Sequence, residues 1–243
     1  MSEITKRQLL ALAAAFGASP AFAQTPGPAP APGPAPATPA APPAPATPAV
    51  PAAPAAPAEP AAADFGRTTR VRLATPLGPI VLDLFTEKAP ITSANFLKYV
   101  DRKLYDGATF YRASKPPGQA ANDYGVVQGG LQNDPKKVLP PIAHESTAKT
   151  GLAHKDGTIS MGRHAPGTAQ ADWFICVGDQ SYLDADPKDP KKNPGFAAFG
   201  HVVEGMDVVQ KILGRAVDPN KGEGAMKGEM LKVPVPITSV RRA

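Results

Sequence analysis

The chain has 243 residues and a net charge of +5, from 26 Lys and Arg against 21 Asp and Glu. Fifteen of its 31 prolines fall between Pro26 and Pro60, in a stretch of mainly Ala, Pro, Gly and Thr with too little apolar surface to build a core. One folded domain is therefore predicted at 64–243, and its modest basic excess, without a clustered Lys/Arg run, indicates no nucleic-acid partner.

Residues 1–23 are predicted to form a cleavable export signal. The basic pair Lys6-Arg7 precedes an apolar run at 9–16, and a small-x-small pattern ends at Ala23. The run is shorter than the ~20 apolar residues of a membrane-spanning helix, so no stable membrane insertion is expected after cleavage. The sequence is compatible with an ordinary secretory signal and with a twin-Arg signal that has Lys in its first basic position.

Residues 24–63 are predicted to be a Pro/Ala-rich disordered linker. Polyproline II rises about 3.1 Å per residue, so some 35 residues reach on the order of 100 Å. Only Glu59 is charged in this stretch, whereas 24 basic and 19 acidic residues lie at 64–243. The whole net charge therefore belongs to the predicted domain.

Short segments with the two-residue period of β-strands dominate this domain. Arg70–Thr75 and Ile80–Phe85 flank a Pro/Gly-rich turn and are predicted to pair as a hairpin. Six further β-like runs are separated by Gly, Pro, Asn and Asp: Thr109–Arg112, Val126–Gln128, Thr158–Met161, Trp173–Val177, Phe196–Val203 and Val235–Val240.

Two helices are predicted among these strands. The first begins at Ala89-Pro90, where the missing N–H of proline costs nothing. Its core-facing residues are spaced three and four apart: Phe96, Leu97, Val100 and Leu104. The second spans Met206–Leu213, with Met206, Val209 and Leu213 on one face, and ends at Gly214. About eight strands and no long helical patterns between them favour a mainly β fold, a closed antiparallel barrel.

The domain offers few residues for covalent or metal chemistry. Cys176, the only cysteine, lies in an apolar run and is predicted to be a small buried residue without a disulfide partner. No Ser or Cys has a His partner in a recognisable motif, so a hydrolase is the least favoured class. The four histidines are too far apart for a local ligand set, and neither a metal nor a cofactor is expected: His144, His154, His164 and His201.

Several groups of residues follow one another in the order and character found in cyclophilins. They are Phe110-Tyr111-Arg112, Gln128-Gly129-Gly130, Gly157–Met161, Trp173-Phe174-Ile175, Leu183-Asp184 and Phe199–Val209. From Val71 to the C-terminus the chain thus resembles the cyclophilin family, and it is similar to the exported bacterial members. The resemblance implies an eight-stranded antiparallel barrel capped by two helices, and cis/trans isomerisation of X-Pro peptide bonds in the periplasm.

The resemblance also implies which residues form the site. Arg112 is the implied catalytic residue, and Gln128 is implied to orient it and the substrate carbonyl. The other implied substrate-binding residues are Val126, Gly162, Arg163, His164, Phe174, Tyr182, Leu183 and Phe196. Without the resemblance, Phe174 and Leu183 would be assigned to the core and His164 to a solvated loop. The expected partners are proline-containing segments of unfolded or exported proteins, bound by a monomer.

The chemistry expected of Arg112 follows from the peptide bond itself. Rotation breaks the amide resonance and meets a barrier of about 18–20 kcal/mol. The prolyl nitrogen becomes pyramidal and gains a lone pair, so a cationic donor placed there binds the transition state more strongly than the ground state. Arg is always charged and offers several donors from a rigid plane. Periodicity alone would make Arg112 a surface residue at a strand end.

Three features depart from the family pattern. The link Ala113–Gly125 is expanded, and Tyr124 within it is a candidate to refill the pocket. Asp172 replaces a Gln that is common in the family, which predicts a negative charge beside the site. Asp184–Pro194 is a longer loop rich in Lys, Asp and Pro.

Two other functions stay open from the sequence. The first is a non-catalytic peptide-binding or holdase module of the cell envelope, which would keep the peptide-binding groove but would not accelerate isomerisation. The expanded loop and Asp172 motivate this alternative. An envelope-structural protein would depend on the Pro/Ala-rich segment alone. The favoured function is an isomerase that assists the folding of exported proteins.

Overall fold

The computed structural model describes residues 65–243, and the predicted signal and linker lie outside this range. The described chain contains ten strands: β1 Thr69–Thr75, β2 Gly78–Leu84, β3 Thr109–Ser114, β4 Gly125–Gly130, β5 Thr158–Met161, β6 Trp173–Val177, β7 Ala197–Glu204, β8 Val217–Asp218, β9 Met230–Pro236 and β10 Ser239–Arg242. The helices are α1 Pro90–Asp101, α2 Thr147–Thr150 and α3 Met206–Leu213.

The strands form one antiparallel sheet in the order β10-β1-β2-β7-β5-β6-β4-β3-β9-β8. β1 and β2 form the predicted hairpin, with Leu73 opposite Ile80. The end strands β10 and β8 do not pair with each other, so the pairing within residues 65–243 does not close the sheet into the predicted barrel.

The C-terminal strands differ from the prediction. Val235–Val240 was predicted to be one strand, but the chain leaves β3 after Pro236 and pairs with β1 from Ser239 onward. Between the two strands, the backbone N–H of Ile237 donates to the carbonyl of Ala108, and that of Thr238 donates to the carbonyl of Ala74 in β1. The two-residue β8 is too short to show a period, and it is found only through its pairing with β9. The sheet therefore has ten strands where eight were predicted.

The core is built from alternate strand residues and is covered by α1 and α3. The indole of Trp173 lies at its centre and meets Phe96 and Phe110 edge to face, at ring-centre distances of 6.1 and 5.2 Å. Pro90 begins α1 as predicted, and α3 has the predicted bounds. Leu97 and Val100 of α1 are also buried as expected. Leu104, which was expected to face the core as well, is only partly buried. No helix within residues 65–243 has the length and apolarity needed to cross a membrane.

Candidate active site

Three of the predicted site residues lie side by side across β3, β4 and β6. Arg112 is opposite Gln128 in one ladder, and Gln128 is opposite Phe174 in the next. Directly opposite residues project to the same face of a sheet. Trp173 and Ile175, the neighbours of Phe174 in β6, belong to the core and project to the other face. The row Arg112, Gln128 and Phe174 therefore lies on the face away from the core.

The guanidinium of Arg112 is held by two side chains. Its Nη1 donates to Oε1 of Gln128 at 2.7 Å. Its Nε and Nη2 both donate to Oε2 of Glu229, at 2.8 and 2.5 Å, a residue that the sequence did not single out. A guanidinium has five N–H groups. Residues 65–243 bind three of those of Arg112, so about two N–H groups remain for a ligand. Because 19% of the Arg112 side chain is exposed, a ligand can reach it.

A buried chain of hydrogen bonds sets the orientation of the Gln128 amide. Its Nε2 donates to the hydroxyl oxygen of Tyr111 at 2.8 Å, and Tyr111 is hydrogen-bonded to the carboxylate of Asp172. Burial raises the pKa of Tyr111 well above its ordinary value of 10, so the hydroxyl keeps its proton and donates it to Asp172. The amide nitrogen of Gln128 therefore faces Tyr111, and its oxygen is left to accept from Arg112.

Asp172 lies beside the site, connected to Gln128 through Tyr111, and its carboxylate is buried. Only 7% of the residue is exposed, and its carboxylate accepts backbone N–H bonds from Gln132 at 2.8 Å and Asn133 at 3.1 Å. Burial raises the pKa of Asp172, although these donors lower it. The close approach requires glycine at position 130, because a Cβ on Gly130 would lie 2.4 Å from Oδ1 of Asp172.

The predicted proline pocket contains two aromatic rings and an arginine. Phe174 and Phe196 meet edge to face, with ring centres 5.4 Å apart, and the guanidinium of Arg163 lies 4.7 Å from the centre of the Phe196 ring. The backbone N–H of Phe196 donates to the carbonyl of Leu183 at 2.9 Å, which brings a short 3-10 turn to the pocket edge. Phe174 is buried, as its assignment to the core without the resemblance predicted, although it lies outside the main core cluster, whereas Leu183 is only half-buried.

The remaining implied residues lie at different places around this row. Gly162 lies next to it, since a Cβ added there would be 3.4 Å from Nε2 of Gln128. Val126 lies two positions before Gln128 on β4, on the same face, and is half-buried. His164 is exposed, and its backbone carbonyl accepts a bond from Arg163. Their roles in substrate binding stay predictions.

A groove beside Arg112 is built in part by the expanded loop. It is lined by Ser114, Pro116, Pro117, Tyr124, Tyr182 and Glu229. Tyr182 is 65% exposed and is available for contact with a peptide. Tyr124, the candidate to refill the proline pocket, lines this groove instead. Glu229 connects the groove to the row, since its carboxylate binds Arg112 and also Ser114.

A second polar cluster lies against the pocket. The buried ring of His154 stacks on Phe174, with ring centres 6.1 Å apart. Its Nδ1 is 2.6 Å from Oδ1 of Asp184, and its Nε2 is 2.9 Å from Oγ of Ser160. Because a carboxylate only accepts, Nδ1 carries the proton and Nε2 accepts from Ser160. No sequence motif pointed to this Ser–His–Asp connectivity. Ser160 is fully buried, so it cannot act as a nucleophile on a peptide.

Cys176 is also unavailable for reaction. It is fully buried in β6, and burial raises the pKa of its thiol, which confirms the prediction of an inert buried residue. Among residues 65–243, no group of three or more His, Cys, Asp or Glu side chains is arranged to hold a metal ion.

Lowering the pH is expected to destabilise the domain through His154. Burial lowers the pKa of His154 below its ordinary value of 6.5 and outweighs Asp184, which raises it. The unfolded chain therefore binds this proton more readily, so the contribution to the free energy of unfolding is full above pH 6.5 and is lost as the pH falls below it. Urea unfolding between about pH 7 and about pH 5.5 measures the slope.

The His154→Asn variant is the matched control for this slope. Asn keeps a donor for Asp184 but does not titrate, so the fall in stability on acidification becomes shallower. A residual slope is expected from His201, whose pKa burial also lowers. A variant slope equal to that of the wild type would contradict the assignment to His154.

The fold and the site together define a class of protein. A fixed guanidinium, an aromatic pocket and an exposed groove share one face of an antiparallel sheet, while the neighbouring hydroxyl and thiol of Ser160 and Cys176 are buried. Such a surface can hold an extended peptide and place a cationic donor beside one of its bonds. This is the arrangement of a peptide-binding β-domain.

Comparison with known proteins gives the family. The model of the family described as cyclophilin type peptidyl-prolyl cis-trans isomerase/CLD matches residues 70–241. The chain belongs to this family, and the homology makes it a peptidyl-prolyl cis-trans isomerase.

Bacterial relatives and solved structures agree with this membership. A peptidyl-prolyl cis-trans isomerase of Acinetobacter baylyi is 35% identical over 174 residues, which are 71% of this chain and 85% of the relative. The isomerase B of Escherichia coli is 33% identical over 70% of this chain and 97% of its own length. The crystal structure of a Cryptosporidium parvum cyclophilin covers 73% of this chain and 98% of its own, with a TM-score of 0.57 at 18% identity. It shows a cyclophilin-like, mainly β fold.

Proposed function

We propose that Arg112 accelerates rotation about X-Pro bonds by donating a hydrogen bond to the prolyl nitrogen. The observation that carries the proposal is the fixed guanidinium, which Gln128 and Glu229 hold on the same sheet face as Phe174. The donor is in place before the bond twists, so no reorganisation is needed as the nitrogen lone pair develops. Rotation breaks no bond to a heavy atom, and the step therefore requires no nucleophile.

The aromatic pocket supports the proposal because it offers a site for the proline ring. The rings of Phe174 and Phe196 present an apolar corner, and Arg163 covers the outer ring. A proline held there leaves the preceding carbonyl free to swing through the rotation. The pocket binds the ring in the ground state and in the transition state, whereas Arg112 acts mainly in the transition state.

Replacing Phe196 by Ala is expected to raise KM by about 3–10-fold and to leave kcat nearly unchanged. The ring is half-buried, so its removal weakens the pocket at a modest cost to the fold. Isomerisation kinetics over a range of peptide concentrations give the two constants separately. Val233→Ala, at an apolar side chain that is 67% exposed on β9, is the control. A fall in kcat without a change in KM would argue against the pocket role.

The proposed activity is tested by exchange NMR on an Ala-Pro peptide. Catalytic amounts of the domain are expected to broaden the cis and trans resonances by speeding their exchange. The Cryptosporidium relative was crystallised in the presence of the dipeptide Ala-Pro, which makes this sequence a reasonable probe. Unchanged exchange rates with a folded domain would refute the proposal.

A non-catalytic peptide-binding module is the second candidate function. The observation in its favour is that Glu229 occupies two donors of Arg112 and lines the groove of the expanded loop. Peptide binding, seen as changes in the chemical shifts of the domain, together with unchanged cis/trans exchange would select this function.

We further propose that the substrates are proline-containing segments of unfolded exported proteins, bound by a monomer in the periplasm. The sequence pattern of residues 1–23 supports export, and the Pro/Ala-rich composition at 24–63 suits a spacer between the domain and its surroundings. Cell fractionation of the full chain and of a variant without residues 2–23 tests export. Equal retention of both forms inside the cell would contradict it.

We also propose that the sheet closes into the predicted barrel. β9 and β10 belong to opposite ends of the strand order and are separated by residues 237–238 alone. The chain thus joins the two ends covalently, and the backbone N–H groups of these residues bond to Ala108 and Ala74 on the two sides of the seam.

A further inference from the structure

Glu229 accepts two hydrogen bonds from the guanidinium of Arg112, whereas Gln128 accepts one. Oε2 of Glu229 accepts from both Nε and Nη2 of the guanidinium, at 2.8 and 2.5 Å. Its other oxygen, Oε1, accepts from the hydroxyl of Ser114 at 2.7 Å. Both oxygens of the carboxylate are therefore bound, which fixes its plane as well as its position.

The backbone holds Glu229 beside the strand that carries Arg112. The N–H of Ala113 donates to the carbonyl of Glu229 at 3.0 Å, and Met230, the next residue, is opposite Arg112 in the β3–β9 ladder. The carboxylate thus reaches the guanidinium from a strand edge that is part of the sheet, so its position does not depend on a free loop.

The partly buried surroundings of Arg112 and Glu229 make their ion pair stronger than an ion pair on the protein surface. Only 19% of the Arg112 side chain and 26% of the Glu229 side chain are exposed, so solvent screens them less than a surface pair. Hydrogen bonds between charged groups are shorter and stronger than neutral ones. Gln128 binds a different nitrogen of the guanidinium, and Arg112 is consequently fixed from two directions.

We propose that Glu229 is a positioning residue for isomerisation, which holds the Arg112 guanidinium in the orientation that it needs at the prolyl nitrogen. This inference rests on the proposed function of Arg112. An arginine side chain loses conformational entropy about several rotatable bonds when it is ordered. Glu229 and Gln128 order the side chain of Arg112 before the substrate binds, so this entropy is not lost during the reaction. The gain appears in kcat, because it concerns a bond that strengthens in the transition state.

Replacing Glu229 by Ala is expected to lower kcat about 10-fold, with KM within about 2-fold of the wild type. Glu229→Gln keeps an oxygen that accepts from Arg112 and an amide that can donate to Ser114, so it restores kcat to within about 3-fold of the wild type. Glu223→Ala, at an exposed acidic residue of the preceding segment, leaves both constants unchanged and controls for the loss of a negative charge.

Two further measurements separate positioning from a merely structural role. The Nε–H proton of Arg112 is expected to give a sharp, downfield NMR signal in the wild type and in Glu229→Gln, and to broaden in Glu229→Ala. Ser114→Ala, which removes only the second anchor of the carboxylate, lowers kcat about 2–4-fold and keeps the proposal testable if Glu229→Ala fails to fold.

The outcomes distinguish this inference from the proposed function. A folded wild type without accelerated exchange refutes the function of Arg112 itself. An active wild type whose kcat is unchanged or increased in Glu229→Ala overturns the positioning role, because the carboxylate would then be neutral or would act as a brake on the guanidinium. Likewise, an Nε–H signal that is the same with and without Glu229 overturns it.

Discussion

Replacing Arg112 by Ala is expected to lower the rate of catalysed isomerisation about 10–100-fold while the domain stays folded. The substitution removes one charged donor from the developing lone pair of the prolyl nitrogen, and such a bond contributes roughly 1.5–3 kcal/mol. The loss should appear in kcat, since the pocket of Phe174 and Phe196, which we propose holds the proline ring, is untouched. Exchange NMR on an Ala-Pro peptide gives the rate, and thermal unfolding reports on the fold.

Arg112→Lys sharpens this experiment, because it keeps the charge and loses the planar fork. A lysine ammonium cannot bind Gln128 and Glu229 together and still present a donor in the same plane, so we expect poor rescue. Arg72→Ala, at an exposed arginine of β1, is the matched control and should leave the rate unchanged. Full activity of the Arg112→Ala variant would remove Arg112 from the mechanism.

The sequence predicted the row of site residues because its members lie on regular strands. Arg112, Gln128 and Phe174 each occupy a short run predicted to be a strand, and the bounds of β5 and β6 agree with the predicted ones. Periodicity alone assigned Phe174 to the core, since it cannot tell which face of a strand covers the core when both faces are apolar. The resemblance to a family supplied that choice.

Glu229 could not be predicted from the sequence. It lies 117 residues from Arg112, in a glycine-rich segment without a motif, and it is placed by pairing between strands that are distant in the chain. The same holds for the bond between Tyr111 and Asp172, which connects a buried carboxylate to the amide of Gln128. Local patterns report the period of an element, whereas these contacts depend on which strands become neighbours.

The buried cluster of His154, Ser160 and Asp184 is a second arrangement that local sequence patterns did not predict. Its members have the connectivity of a catalytic triad, yet the hydroxyl of Ser160 is fully buried and the ring of His154 packs on Phe174. Because a substrate cannot reach the Ser160 hydroxyl, the hydrogen bonds of this cluster indicate that it supports the pocket and does not catalyse hydrolysis. Exposure, which the sequence does not give, decides between these two functions.

Replacing Gly130 by Ala is expected to destabilise the domain by about 2–6 kcal/mol. The residue has φ +136°, a conformation that L side chains rarely adopt, and a Cβ there would lie 2.4 Å from Oδ1 and 2.7 Å from Cα of Asp172. The second of these atoms is backbone of the segment leading into β6, so the contact cannot be relieved by a side-chain rotation alone. Urea unfolding measures the loss of stability.

Gly107→Ala is the matched control, because Gly107 also has a positive φ, +78°, but a Cβ there would meet nothing within 4 Å. Its cost, about 1–3 kcal/mol, measures the backbone strain by itself. The excess in Gly130→Ala then measures the contacts with Asp172 and with the carbonyl of Ala171. Since Asp172 holds Tyr111 and Tyr111 holds the amide of Gln128, any Gly130→Ala protein that remains folded should also have a lower kcat, whereas Gly107→Ala should not. Equal stabilities of the two variants would mean that the carboxylate of Asp172 does not lie against residue 130, and the orientation assigned to Gln128 would lose its support.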